Sequence, residues 1–323
     1  MKRFKRTFSF LIAALLIFII PSCSETPAGE VNVYLITKGS GSSFWGAVKA
    51  GAEAAANEYG AELSVFEPTD EESENEQIAF FEKTLEALPD AVALSAIGYE
   101  SGGMFTDRLS AAGVKVVEFD SLTRSTSADT RVTIDNFSAG VNAFLEVRKN
   151  VSGKLKICAL LPNASTANAR DREEGLMSAA KEDGNAEIIA TGYIESSLEK
   201  AKETATGILN KNPEINAIVA LNEWATLAAG EAVFTLEKSD LIFVSGFDNN
   251  TLSVQRLEDG AVDSLILQNP YAMGYFSVKN AYLLSVGQAK SNNTEIIETV
   301  VANRENMYSD DVVKLLFPFK SFK

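Results

Sequence analysis

The 323-residue chain is 46% apolar, has a formal net charge of −15 and contains no histidine. That length and apolar share suit two domains of ordinary size. The acidity speaks against nucleic acid or anionic lipid as a partner, and without imidazole there is no Ser-His-Asp or Cys-His nucleophile and no usual zinc site.

Residues 1–22 open with Lys2, Arg3, Lys5 and Arg6, hold no acid, and continue into an apolar run at 8–20. A basic start before a run too short to span a bilayer comfortably reads as an export signal. Without it the chain carries −15 − 4 = −19. The run ends Ile20-Pro21-Ser22-Cys23, and a cysteine after a small residue at that place resembles the lipobox of bacterial lipoproteins, although Pro21 departs from its commonest form. The expected arrangement is a signal peptide at 1–22, lipidation of Cys23 and a polar tether at 23–29. It would leave the protein exported and anchored in the periplasm or at the outer cell surface. A plain cleaved signal and an uncleaved anchor are the alternatives. The second cysteine, Cys158, lies in the apolar stretch KICALL and reads as a core residue, with no disulfide implied.

From residue 31 the chain states one pattern twice. VNVYLI (31–36) has strand length and leads through a Gly/Ser loop into a small-residue helix that stops at Gly60; LKICAL (155–160) opens the second copy, whose first helix stops at Gly184. The offset of 124 (155 − 31) also pairs Gly51 with Gly175, Ala55 with Ala179 and Glu58 with Glu182. It drifts to 128 (248 − 120) at the Phe-Asp endings of VVEFD and FVSGFD, as loop insertions between copies of one unit produce. Short apolar strands alternate with helix-period stretches at 76–88 and 199–211. The pattern predicts an α/β protein of two similar, doubly wound, parallel-sheet lobes.

Open parallel sheets bind ligands beyond the carboxyl ends of their strands. Those ends are the loop 38–45, Ser95 and Asp120 in the first copy, and the loop 162–172, residues 222–224 and Asp248 in the second; both tryptophans, Trp45 and Trp224, fall among them. Gly39-x-Gly41 does not complete a dinucleotide fingerprint, because Phe44 stands where the third glycine belongs, and no P-loop lysine-serine follows. No nucleotide or other cofactor, and no metal, is expected.

Carbohydrate suits the inventory better. Phe44, Trp45 and Trp224 could cover the apolar face of a sugar ring, while Asp120, Arg172, Asn222, Asp248 and Gln268 bond its hydroxyls. Other roles stay open: Phe44 or Trp45 as a staple for the first helix, Asp120 and Asp248 as helix N-caps, Arg172 as a surface residue. Two carboxylates also suggest a glycosidase, but duplication gives them similar surroundings, whereas an acid and a nucleophile need dissimilar ones. The expectation is a binder, not an enzyme. The acidic run TDEESENE (69–76) reads as a solvated helix start rather than a docking patch.

With FWGAVKAGAEAAANEYG (44–60), FDSL (119–122), TIDNFSAG (133–140), NARDREEGLMSA (168–179), ALNEWATLAAGEA (220–232), VSGFDNN (244–250) and LQNPYAMGY (267–275), the chain resembles the periplasmic sugar-binding proteins of ABC importers, of the ribose- and galactose-binding type. Lac-repressor-like effector domains share that fold. The resemblance runs from about Val31 to Met307. It implies that Phe44 and Trp45 stack on the sugar, that Ser42 and Ser95 replace hydrogen-bonding amides, and that Asp120, Arg172, Asn222, Asp248 and Gln268 bind hydroxyls. It also implies a three-strand hinge, with crossings at Asp135-Asn136 and Gln268-Asn269. The N-terminal lobe would then comprise 30–134 plus 269–297, and the C-terminal lobe 135–268 plus 298–323. Three positions depart from the pattern: Ser121 replaces an arginine, Lys38 a small hydroxyl residue, and Trp224 a smaller or polar one. Lys38 with Arg172 suits an anionic sugar acid; Asp120, Asp248 and Glu223 argue the other way. The expected protein is a monomer that closes on a small polyhydroxylated ligand and presents it to an ABC permease, or alternatively reports a sugar, nucleoside or autoinducer-like ligand to a membrane receptor.

Overall fold

Strand and helix alternate along the whole described chain, which in this computed structural model comprises residues 30–162 and 166–317. The expected export signal, the tether and Cys23 lie outside those residues. The first sheet uses β1 (Val31–Ile36), β2 (Ala61–Phe66), β3 (Ala91–Leu94), β4 (Lys115–Phe119) and β5 (Thr130–Thr133), with α1 (Ser43–Tyr59), α2 (Glu74–Ala87) and α3 (Tyr99–Ala111) between them. After α4 (Asn136–Asn150) the unit recurs as β6 (Leu155–Pro162), α5 (Ala167–Asp183), β7 (Ala186–Ile194), α6 (Leu198–Lys211), β8 (Ala217–Ala220), α7 (Glu223–Thr235), β9 (Phe243–Phe247), α8 (Thr251–Asp259) and β10 (Ser264–Leu267). The remaining elements are α9 (Pro270–Ser285), β11 (Asn293–Ile296), β12 (Val300–Asn303) and α10 (Asp310–Leu316).

The two six-stranded sheets share one winding. Their orders are β11-β5-β4-β3-β1-β2 and β12-β10-β9-β8-β6-β7. Every pairing is parallel except β10 with β12, which is antiparallel, so the second sheet departs from the all-parallel expectation at its edge. The central strands β3 and β8 are buried along their whole length, as residues covered by helices on both faces are. Cys158 sits on β6 at 1% exposure, and burial pushes its thiol pKa up to about 12, which makes it inert core.

The chain passes between the sheets three times. After β5 it enters α4, which packs on β8, β9 and β10 of the second sheet; after β10 it enters α9, which packs on β1, β3, β4 and β5 of the first; β11 and β12 then divide between the two. Asp135 and Asn269 cap α4 and α9 by accepting from Ser138 N and Ala272 N.

Glycines let two helix pairs touch backbone to backbone. A Cβ on Gly51 of α1 would lie 2.0 Å from the Tyr271 carbonyl oxygen, and one on Gly274 of α9 would lie 1.9 Å from that of Val48. In the second lobe a Cβ on Gly140 of α4 would lie 2.1 Å from the Arg172 carbonyl, and one on Gly175 of α5 would lie 2.1 Å from that of Phe137. These crossings fix how far α1 and α5 reach toward the gap between the sheets. One buried apolar cluster, including Trp45, Phe119, Phe144, Leu161 and Phe247, runs through both lobes.

Candidate functional site

Asp120 and Asp248 each follow a central strand, β4 and β9, with φ of 54° and 68°. Backbone pairing continues through both, from Asp120 N to the Val132 carbonyl at 3.0 Å and from Asp248 N to the Ile266 carbonyl at 3.1 Å. The left-handed backbone disfavours most side chains, and aspartate is among those that tolerate it. The turn lifts each carboxylate off its sheet edge into the space between the lobes. Neither residue caps a helix: α8 is capped by Asn250, and β5 is the next element after Asp120.

That space is a cavity lined from both lobes, with about 300 Å³ of empty space that includes open solvent. The first lobe contributes Lys38, Phe44, Trp45, Glu71 and Asp120; the second contributes Asn168, Arg172, Asn222, Glu223, Asp248 and Gln268. Trp45 forms one wall, 1% exposed, with Phe44 edge-on at 5.0 Å and its indole N–H donating to Glu71 Oε1 at 2.9 Å.

The polar groups are held by partners from both lobes. Lys38 Nζ lies 3.0 Å from Asp120 Oδ2, the Ser95 hydroxyl donates to that oxygen at 2.9 Å, and Asn168 Nδ2 of the opposite lobe donates to Oδ1 at 3.1 Å. Three of the five Arg172 donors are taken by the protein: Nε donates to Asn136 Oδ1 at 2.8 Å, one terminal nitrogen to the Leu221 carbonyl at 3.0 Å and the other to Gln268 Oε1 at 3.1 Å. Its guanidinium stacks 4.5 Å from the Phe247 ring centre, and burial pulls its pKa down against the attraction of Asp248 and Asp120.

Asp248 accepts from Gln268 Nε2 at 2.7 Å, and burial pushes its pKa up to about 7, with Arg172 opposing. Glu223 is also raised by burial. It reaches across the gap to the start of α1, accepting from the Ser43 hydroxyl at 3.1 Å and from the Ser43 and Phe44 backbone N–H groups at 3.4 Å. Asn250 Nδ2 completes its shell at 2.7 Å. A carboxylate at a helix N-terminus meets the positive end of the helix dipole, so this contact joins the lobes electrostatically.

Eight of the eleven residues singled out in the sequence line this one cavity: Lys38, Phe44, Trp45, Asp120, Arg172, Asn222, Asp248 and Gln268. Asn222 does so while capping α7, accepting from Ala225 N at 2.8 Å. Ser95 stands behind Asp120, buried, as its hydrogen-bond donor. Ser42 caps α1 and, with Trp224, lines an adjoining recess. Glu71 and Asn168 were missed as cavity residues. Asn168 stands at the repeat offset from Phe44 (168 − 44 = 124), a signal the duplication held. The acidic run needs correction. Only its end, from Glu74, starts α2; Glu71 lines the cavity, and Glu72 accepts from Ser196 N at 3.1 Å and from its hydroxyl at 3.2 Å across the gap.

Residues 33–289 match the family model of the periplasmic binding protein domain. The D-allose-binding periplasmic protein of Escherichia coli K12 is 24% identical over 86% of this chain and 90% of its own. The ribose import binding protein RbsB of Bacillus subtilis 168 is 22% identical over 84% and 90%. A carbohydrate transporter solute binding protein from Agrobacterium radiobacter, solved with D-arabinose, superposes with a TM-score of 0.85 at 23% identity, covering 90% of this chain and 99% of its own.

Proposed function

Because the chain belongs to the periplasmic binding protein domain family, we propose that it captures a small sugar between its two lobes and delivers it to an ABC importer. The observation that carries this reading is the pair Asp120 and Asp248, raised from equivalent strand ends by left-handed turns into a cavity walled by Phe44 and Trp45. Aromatic faces meet the C–H side of a ring, and carboxylates, amides and a guanidinium accept and donate to its hydroxyls. Relatives named for D-allose and ribose bind the same class of ligand.

Capture works by closure: a ligand touching both lobes favours the arrangement in which they meet. Lipidation of Cys23 would hold the protein close to its permease and raise its effective concentration there. A thermal-shift screen over monosaccharides, nucleosides and sugar acids tests the reading, because a ligand that binds only the folded state raises the melting temperature. A shift with a monosaccharide, recovered unchanged, is expected; a shift with nucleosides alone, or with nothing, overturns it. For the anchor, Cys23→Ala should move the protein into the soluble fraction, and continued membrane association would reject it.

A further inference from the structure

Four carboxylates and two cations line the cavity: Glu71, Asp120, Glu223 and Asp248 against Lys38 and Arg172. Lys38 and Asp120 neutralise each other at 3.0 Å. All three Arg172 nitrogens engage neutral acceptors, so its charge offsets one further carboxylate only through space. Glu223 has its hydroxyl, amide and backbone donors and the positive end of α1, which offsets about half a charge. The remaining surplus rests on Glu71 and Asp248, about one and a half negative charges with Asp248 ionised and about half a charge with it protonated, its pKa lying at about 7. Glu71 accepts only the Trp45 indole N–H, and Asp248 only the Gln268 amide; neither forms an ion pair among the described residues. Asp248 is nevertheless only 6% exposed.

Closing the lobes over a neutral ring would leave this surplus desolvated, and an anionic ring would add to it. Among the described residues no three acidic or cysteine side chains are grouped to hold a metal ion, so a divalent cation is not the remedy. An ammonium group is. It brings one positive charge and three donors to oxygens that each have accepting capacity left. Resting on the sugar-capture reading, we propose that the guest is an amino sugar: a monosaccharide-sized ring carrying one protonated amine, set between Glu71 and Asp248.

Isothermal titration of the full-length protein with matched pairs tests this: D-glucosamine against D-glucose, D-galactosamine against D-galactose, with D-galacturonate as the anionic member. At least one amine should bind about tenfold or more tightly than its neutral partner. Glu71→Gln, with its melting curve checked, keeps an acceptor for Trp45 and should lower the amine's affinity more than the neutral sugar's, drawing the ratio toward one. Neutral sugar or uronate binding as tightly as the amines overturns the amine assignment and leaves sugar capture standing. A ratio unchanged in the variant overturns the seat between Glu71 and Asp248. Absence of binding by all five overturns the amine assignment, and sugar capture with it if the monosaccharide screen is also silent.

Discussion

Asp248 serves binding and opposes stability. Its left-handed backbone costs on the order of 1 kcal/mol, and burial drives its carboxyl pKa from 3.8 to about 7. A carboxyl raised on folding binds its proton in the native state where the unfolded chain has lost it, so stability falls as pH rises from about 4 through 7. Asp248→Asn cannot titrate and keeps an oxygen for Gln268. Its advantage over the parent in denaturant melts should therefore grow between pH 5 and pH 8, reaching roughly 2–4 kcal/mol. A constant difference across that range would mean that Asp248 ionises normally. The same variant should weaken sugar binding by about 1–3 kcal/mol in calorimetry, from one buried partner altered. Both strand-end aspartates were legible in the sequence because duplication left Phe-Asp in each copy. Their left-handed turns were not, since aspartate is common in many other conformations. Glu71 stayed hidden for a different reason: among seven polar neighbours it looks like any solvated acid.

Helices α1 with α9, and α4 with α5, depend on absent side chains. A methyl group at Gly175 would meet the Phe137 carbonyl oxygen at 2.1 Å, which rigid backbone cannot relieve. Gly175→Ala should lower the urea midpoint by an amount equivalent to about 1–3 kcal/mol. Gly207 of α6 has nothing within 4 Å of its would-be Cβ, so Gly207→Ala should raise stability by about 0.5–1 kcal/mol through helix propensity alone. Equal effects from both substitutions would refute the close-packing account. The paired Gly51 and Gly175 announced the repeat in the sequence. What each glycine touches was not readable there, because the partner helix α9 for Gly51 comes more than 200 residues later.

At the scale of the whole molecule, polar contacts join the lobes across the gap, among them Glu223 with the start of α1 and Glu72 with Ser196. Glu72 and Ser196 stand 124 positions apart, the repeat offset itself, so equivalent edges of the two units face each other. Glu72 does not line the cavity, and its contact exists only while the lobes are together. Glu72→Ala should weaken ligand affinity by about 0.5–1.5 kcal/mol, through faster dissociation and with the melting temperature of the free protein nearly unchanged. Stopped-flow dissociation measures this. An unaltered off-rate would show that the contact does not help closure.

The sequence by itself determined the duplicated α/β plan, the strand ends that carry Trp45, Asp120 and Asp248, and Cys158 as core. These follow from local periodicity, turn chemistry and burial, which neighbouring residues decide together. Only the tertiary structure decided that Lys38 is neutralised by Asp120, that three Arg172 donors are taken by the protein, and that Glu71 adds charge to the cavity. Charge balance in a cavity is a sum over groups brought together from distant segments of both lobes. The field at any one of them depends on distances that no spacing along the chain encodes.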